Sequence, residues 1–390
     1  MKFVTAGESH GPCLTAIVSD VPAGLKISES QLNLDLARRQ QGYGRGERQK
    51  IEKDTVKVLS GVRFGSTLGT PITLQVRNRD WENWTDRMAP FGCAPEDLKR
   101  ELTPRPGHAD LVGVLKNATD DCRNILERSS ARETAARVAA AGIAREFLAV
   151  LGVEVYSYVN RIGAVALEEQ YPMEAAASYA PAAIELSEVR CPDSAVSEAM
   201  MAAIDDAKAK GESLGGCFRV VAKGLVPGLG DFCSGPERLT SKLGAALFSI
   251  PAIKGVEFGL GFEAACREGS KVHDQIIRTD AEGFGRSSNN AGGLEGGMTT
   301  GQALIITAAM KPIPTLMTPL KTVNIDTLEV EEASKERSDT CAVPAAGVVA
   351  EAEVALVLAD AYMDKFGRDN MSDIKANMAN YLARIKTQSR

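Results

Sequence analysis

The chain reads as an α+β protein in which a layer of helices lies between sheets. Three observations predict this. Two helical stretches, residues 130–151 and 343–358, are apolar on nearly every face, so each needs cover on all sides. Residues 55–59 and 72–76 carry the composition and spacing of strands. Gly259-Leu260-Gly261-Phe262-Glu263-Ala264 imitates a dinucleotide fingerprint after a strand-like run, but Gly269 follows with no long amphipathic helix between. That fingerprint requires a helix starting there, so a doubly wound nucleotide-binding sheet is rejected.

The elements follow in order. Met1 to Gly7 enters a strand-like run at once. Ser28-x-x-Gln31 is a capping box, predicting a helix to about Gln41 that stops at Gly42. Ser130-x-x-Glu133 is a second capping box, opening the first apolar helix, which Gly152 ends. Pro344 stands near the first turn of the other. Residues 167–211 are rich in Ala and Glu and close with a helix over residues 194–210, a peripheral segment without chemistry. Glycines are spread throughout, with no repeat and no Pro/Ser-rich linker, so residues 1–390 are expected to form one domain.

Composition narrows the function. With 44% apolar and 25% charged residues the chain is an ordinary globular sequence. A net charge of −6 argues against a nucleic-acid partner held by bulk electrostatics. No apolar stretch is long and clean enough to span a bilayer, and the start lacks a signal core. The eight cysteines are scattered without ligand spacing and read as buried, reduced thiols. No His/Cys/carboxylate cluster has metal-ligand spacing, so no metal site is expected. A cytoplasmic enzyme is the expectation.

Only three histidines occur, and two lie in glycine-flanked stretches: Gly7-Glu8-Ser9-His10-Gly11 and Arg105-Pro106-Gly107-His108-Ala109-Asp110. Imidazole exchanges protons near neutral pH. His273 stands in a polar stretch and reads as a surface residue. Arginines recur beside the candidate sites: Arg38 and Arg39 before Gly42-Tyr43-Gly44-Arg45-Gly46-Glu47-Arg48, Arg128 and Arg132 around Ser130, and Arg337 before Ser338 and Asp339. Guanidinium groups hold phosphate and carboxylate through paired donors, and a helix N-terminus adds to such a site. Each segment also has a plain structural reading, as a glycine turn, a helix cap or an ion pair. The glycine-dense run 292–301 and Lys311-Pro312-Ile313-Pro314-Thr315 form no Walker loop. Proton transfer on an anionic substrate is the chemistry these residues suggest together.

Taken in order, the stretches TAGESHG, RRQQGYGRGERQKIEKD, RPGHADLVG, LERSSARETAARVAA, KGVEFGLGFEA, NNAGGLEGGMTTGQ, KPIPTL and RSDTCAVPAAGVVAEA resemble chorismate synthases from end to end. Only residues 167–211 and the C-terminal tail lack strong matches. The resemblance implies helices sandwiched between antiparallel sheets, in agreement with the buried-helix reading. It implies a homotetramer that uses reduced FMN to eliminate phosphate and a proton from 5-enolpyruvylshikimate 3-phosphate, giving chorismate. No appended reductase domain is visible, so an external flavin reductase is expected, with NADPH at most an indirect reductant.

By the same resemblance, Arg39, Arg45, Arg48, Arg105, Arg132 and Arg337 would hold substrate anions. The flavin would be lined by Arg39, Arg45, Ser130, Ala131, Arg132, Pro251, Ala252, Gly296, Lys311, Pro312, Ile313, Pro314, Thr315, Arg337 and Ser338. His10, relayed by Ser9, would protonate the departing phosphate. His108, with Ser130 nearby, would protonate the flavin, and Asp339 would assist removal of the substrate hydrogen. Pro251 stands where related chains usually have asparagine, and residue 338 is Ser where many have His. Glu353, in an apolar helix, needs a partner if buried. The rival reading is an anion- or nucleotide-binding regulator that keeps the fold without the chemistry, against which the retained His10, His108 and Asp339 argue.

Overall fold

Period-2 burial builds the first sheet. The computed structural model describes residues 1–46, 53–168, 173–279, 283–336 and 338–388. Strands β1 (Lys2–Ala6), β2 (Cys13–Ser19), β3 (Val56–Val58) and β4 (Ile72–Arg77) pair antiparallel in the order β1-β2-β4-β3. Leu14, Ala16 and Val18 stand opposite Val76, Leu74 and Ile72, and all six are buried. Alternation sends the opposite rows outward, so Val4 and Ile17 are exposed.

The second sheet is buried on both faces and its strands are accordingly apolar in runs. It orders β8 (Ile253–Phe258), β9 (Leu304–Met310), β7 (Gly216–Lys223), β5 (Glu154–Ile162) and β6 (Val165–Ala166), all antiparallel. One face of β5 and β7 joins the main core through Val155, Val159, Phe218 and Val220. The other packs Tyr156, Tyr158 and Val221 against Ile184. Residues 173–191 therefore cover the second sheet's outer face.

Between the sheets lie α4 (Thr134–Val150) and α7 (Val343–Phe366), packed on each other. Helix α4 meets the first sheet and α7 the second. Helix α1 (Glu29–Gln40) fits beside α4 because Gly142 has no side chain: a Cβ there would stand 2.5 Å from Leu32 Cδ2. Helices α2 (Asp110–Asn117), α3 (Arg123–Ser129), α5 (Ser194–Ala209), α6 (Leu239–Phe248) and α8 (Met371–Gln388) complete the set used below.

The helical layer follows the sequence expectation, with local corrections. Neither capping box closes. At α1 the Ser28 hydroxyl bonds Ser30 Oγ at 2.6 Å, and Glu146 from α4 takes the Ser28 N–H. At α4 the Ser130 hydroxyl accepts from Arg132 N at 3.3 Å, opening a 3-10 turn, while Glu133 turns to Thr5 and Arg137. Helix α7 runs on to Phe366 because Tyr362, Met363 and Phe366 remain buried. No cysteine is joined in a disulfide among the described residues, but only Cys122, Cys191 and Cys341 are buried; Cys93, Cys233 and Cys266 are exposed, the last at the end of a 3-10 turn. Gly261 leads only into a 3-10 turn, Gly261–Cys266, in line with rejecting the fingerprint. His273 is exposed.

Inside the layer sits a set of buried charges. Glu351 of α7 is fully buried and bonds Arg38, Arg145, Arg190 and Ser157 at 2.7–3.0 Å. Asp35 and Glu185 share those arginines. Residues 167–211 are thus more than peripheral, since Glu185 and Arg190 enter the core network. Glu353 has the partner its burial demands: Arg137 at 3.0 Å.

Candidate active site

The C-terminal end of β1 delivers the first histidine. At Gly7 the backbone has φ +112° and a Cβ would meet Cys13 O at 2.4 Å, so the turn from β1 requires glycine. The turn places Ser9 and His10, both buried, against α3. Glu127 of α3 holds His10 twice, Oε1 at 2.8 Å from Nδ1 and Oε2 accepting the backbone N–H at 2.7 Å. Trp84 stacks on the imidazole with ring centroids 4.1 Å apart, and Arg123 lies over the Trp84 ring. Asn78 fastens the same turn by donating to Glu8 O and Gly11 O.

The second histidine precedes α2. His108 Nδ1 is 2.5 Å from Asp110 Oδ1. Arg105 donates its Nε to Asp110 Oδ2 at 2.8 Å and reaches Thr315 Oγ1 at 3.2 Å. Burial alone would raise the Asp110 carboxyl, but hydrogen bonds from His108 and Arg105 outweigh it and hold it well below the usual carboxylate range. Lys311 donates to Gly107 O at 2.7 Å, which ties this loop to the 311–315 loop.

Both histidines face one cavity of about 430 Å³. Its floor is cationic. Arg39 donates to Thr134 Oγ1 and Ala131 O. Arg132 bridges Asp54, at 2.7 and 2.8 Å, and Asn78 Oδ1, at 2.9 Å. Arg45 pairs with Asp339 at 2.7 Å, and Asp339 also accepts from Gly46 N at 2.6 Å. Asp339 is therefore no helix cap; Ala342 takes that position. Burial, with Arg132 and Arg45 close by, pulls the Arg39 guanidinium down to about 10 in spite of Asp54. Arg45 Nε is buried without a hydrogen-bond partner among the described residues, and Arg39 Nη1 has only the Asp54 carboxylate, at the longer distance of 3.6 Å. Unsatisfied buried donors beside crowded cations form a place that an anion stabilises. The opposite wall is apolar, made by Ala342, Ala345, Ala346 and Val349 of α7 with Ile250 and Ile313.

The cavity gathers most residues the sequence singled out. Ser9, His10, Arg39, Arg45, Arg105, His108, Ser130, Ala131, Arg132, Pro251, Ala252, Lys311, Ile313, Pro314, Thr315, Ser338 and Asp339 all line it. Arg48 and Arg337 lie outside the described residues. Gly296 is not brought to the cavity within this chain: it sits in the open turn between Leu294–Glu295 and Met298–Thr299. Pro312 does not line the cavity, and its backbone nitrogen lies close to Gly215. Sequence reasoning missed Glu127, Asp110, Asp54 and Asn78. Asp110, Glu127 and Asp54 stand inside quoted motifs, where their carboxylates are visible but their partners are not. Asn78 has no local signal.

Fold and site together define an enzyme with an arginine-rich cavity that two imidazole–carboxylate pairs border. A chorismate synthase family model matches residues 1–363. Chorismate synthase from Trichlorobacter lovleyi is 53% identical over 99% of this chain and 100% of its own length. That of Bacillus subtilis is 52% identical, over 97% of this chain and 98% of its own. A crystal structure of chorismate synthase superposes with a TM-score of 0.81 at 42% identity, covering 99% of this chain and 98% of that one. The chain belongs to the chorismate synthase family, and its activity is the lyase reaction for which that family is named.

Proposed function

We propose that this chain eliminates phosphate and a proton, in the anti-1,4 sense, from 5-enolpyruvylshikimate 3-phosphate to give chorismate, with reduced FMN as cofactor. The observation that carries the reading is the pairing, in one cavity, of His10 and His108 on buried carboxylates with arginine donors left open to an anion. The substrate carries one phosphate and two carboxylates, and the cofactor another phosphate. Arg39, Arg45, Arg105 and Arg132 meet this load, with Arg48 and Arg337 as further candidates on the resemblance alone.

The residues fit a flavin. The alanines of α7 give the cavity an apolar stretch suited to a planar ring system, and Ser130, Ala131, Pro251, Ala252, Ile313, Pro314, Thr315 and Ser338 line the same cavity. Lys311, which lines the cavity, would contact a phosphate. Reduced FMN, when bound, supplies an electron that the reaction returns, so no net redox change results. The chain's own residues do the rest. Ser9 and His10 deliver a proton to the departing phosphate from Nε2. His108, which lines the same cavity as Ser130, would supply a proton to the cofactor. Asp339, kept in place by Arg45 and Gly46 N, assists removal of the substrate hydrogen. Exclusion of water from the loaded cavity would strengthen each electrostatic contact.

Residues 1–390 act as one domain in this reading, in the cytoplasm and as a homotetramer. The exposed outer face of the first sheet, with Val4 and Ile17, and the exposed Leu111, Val112 and Leu115 of α2 supply apolar surface for self-association. Among the described residues no helix is long and apolar enough to cross a membrane. The test is an anaerobic assay for chorismate. Chemically reduced FMN should support turnover, whereas NADPH with oxidised FMN should not until a flavin reductase is added. No chorismate with reduced FMN would overturn the reading.

A further inference from the structure

We infer that Glu127 and Asp110 are positioning residues that mount His10 and His108 in the same way, each carboxylate accepting the Nδ1–H hydrogen bond and leaving Nε2 as the nitrogen that exchanges protons with the cavity. The inference rests on the reading of both histidines as proton donors and supplies what that reading lacks, namely which ring nitrogen acts.

The geometry at His10 permits one arrangement. Glu127 is buried, and its two oxygens clasp the ring and the backbone of one residue. A flipped ring would lose the 2.8 Å bond and leave a buried carboxylate oxygen short of its donor, which costs about 1–3 kcal/mol. Burial pushes the Glu127 carboxyl up, but the hydrogen bonds and charge of His10 outweigh it, so the group is an ionised acceptor and Nδ1 must carry the hydrogen. The other charges facing the ring are Asp80, whose Oδ2 is 3.9 Å from Nε2, and Arg123 beyond Trp84. Arg123 is also engaged with Glu101 and Glu336, and its contact to Glu127 is longer, at 3.4 Å. Trp84 holds the ring plane by stacking.

At His108 the same conclusion comes from a different set of partners. Arg105 Nη2 lies 3.1 Å and Asp110 Oδ1 2.5 Å from Nδ1. A bare Nδ1 would accept from Arg105 but would set its lone pair against an ionised carboxylate. A protonated Nδ1 donates to Asp110, and Arg105 then bonds the same carboxylate. Two unrelated loops thus arrive at one mounting, and hydrogen bonding at one ring nitrogen sets the chemistry of the other.

The chain's three histidines make this readable directly. Protein labelled with ¹⁵N only in its histidine rings is measured by magic-angle-spinning NMR, with His10→Ala, His108→Ala and His273→Ala assigning the signals. In the wild type, Nδ1 of both His10 and His108 should be protonated and hydrogen-bonded at pH values where the ring is neutral, with Nε2 the bare nitrogen. A neutral His10 or His108 carrying its hydrogen on Nε2 overturns the inference for that pair. Glu127→Gln should release the tautomer of His10 alone, lower kcat by ~10²-fold or more, and leave KM within a few-fold. An unchanged tautomer, or kcat and KM moving as in a general loss of folded protein, also overturns it. Failure of the proton-donor reading shows differently: His10→Ala would then turn over normally while the NMR result stood.

Discussion

Replacing Glu351 by glutamine should be among the most damaging changes that never touch the cavity. The carboxylate is fully buried on α7 and is shared by Arg38, Arg145 and Arg190, with Asp35 and Glu185 completing the charge balance. Glutamine keeps the shape and removes one negative charge, leaving a net positive buried cluster. Burial raises the Glu351 carboxyl, but the charges of Arg38, Arg145 and Arg190 prevail and hold it at about 2 against an ordinary 4.5. A depression of that size corresponds to about 3 kcal/mol at neutral pH, and breaking a buried pair by removing one partner costs about 3–5 kcal/mol. The two routes agree. Because the folded value lies below the unfolded one, this stability is complete above pH 4.5 and is lost as pH falls towards 2. Urea unfolding of wild type and Glu351→Gln should show a gap of about 3 kcal/mol at pH 7. Below pH 4.5 the gap should narrow by about 1.4 kcal/mol per pH unit. A gap under about 1 kcal/mol at pH 7, or one that persists undiminished at pH 3, refutes the reasoning.

Other outcomes follow from the cavity and the helical layer. His10→Ala and His108→Ala should each lower turnover with saturating reduced FMN by ~10²–10⁴-fold, whereas His273→Ala, at an exposed position, should leave it near normal; steady-state chorismate formation decides. Arg132→Lys should lose activity far more than Arg384→Lys on the exposed side of α8, because one ammonium cannot span Asp54 and Asn78 as the guanidinium does. Equal rates in the two lysine variants would show that the bridge contributes nothing. Gly142→Ala forces a methyl against Leu32 Cδ2 and should destabilise by about 1–3 kcal/mol in thermal or urea unfolding without changing KM.

The sequence by itself determined the helical layer. A helix such as α4, with Ala135, Val138, Ala141, Ile143 and Ala144 spread round its axis, can only be stable when covered all round, so its burial was legible without any partner. It also singled out His10 and His108, because two of three imidazoles stand in glycine-flanked turns that let a ligand approach. What tertiary structure alone decided is how those groups are held. Glu127 is 117 positions from His10 and Asp54 is 78 from Arg132, so nothing local marks either carboxylate as a partner. The same holds for Asn78 and for the joining of residues 185 and 190 to Glu351. Within one chain the fold leaves Gly296 in an open turn and Pro312 off the cavity lining, although both stand inside the matching motifs. Helical burial is a property of one segment's period, whereas a hydrogen-bond partner is fixed by where two distant segments cross.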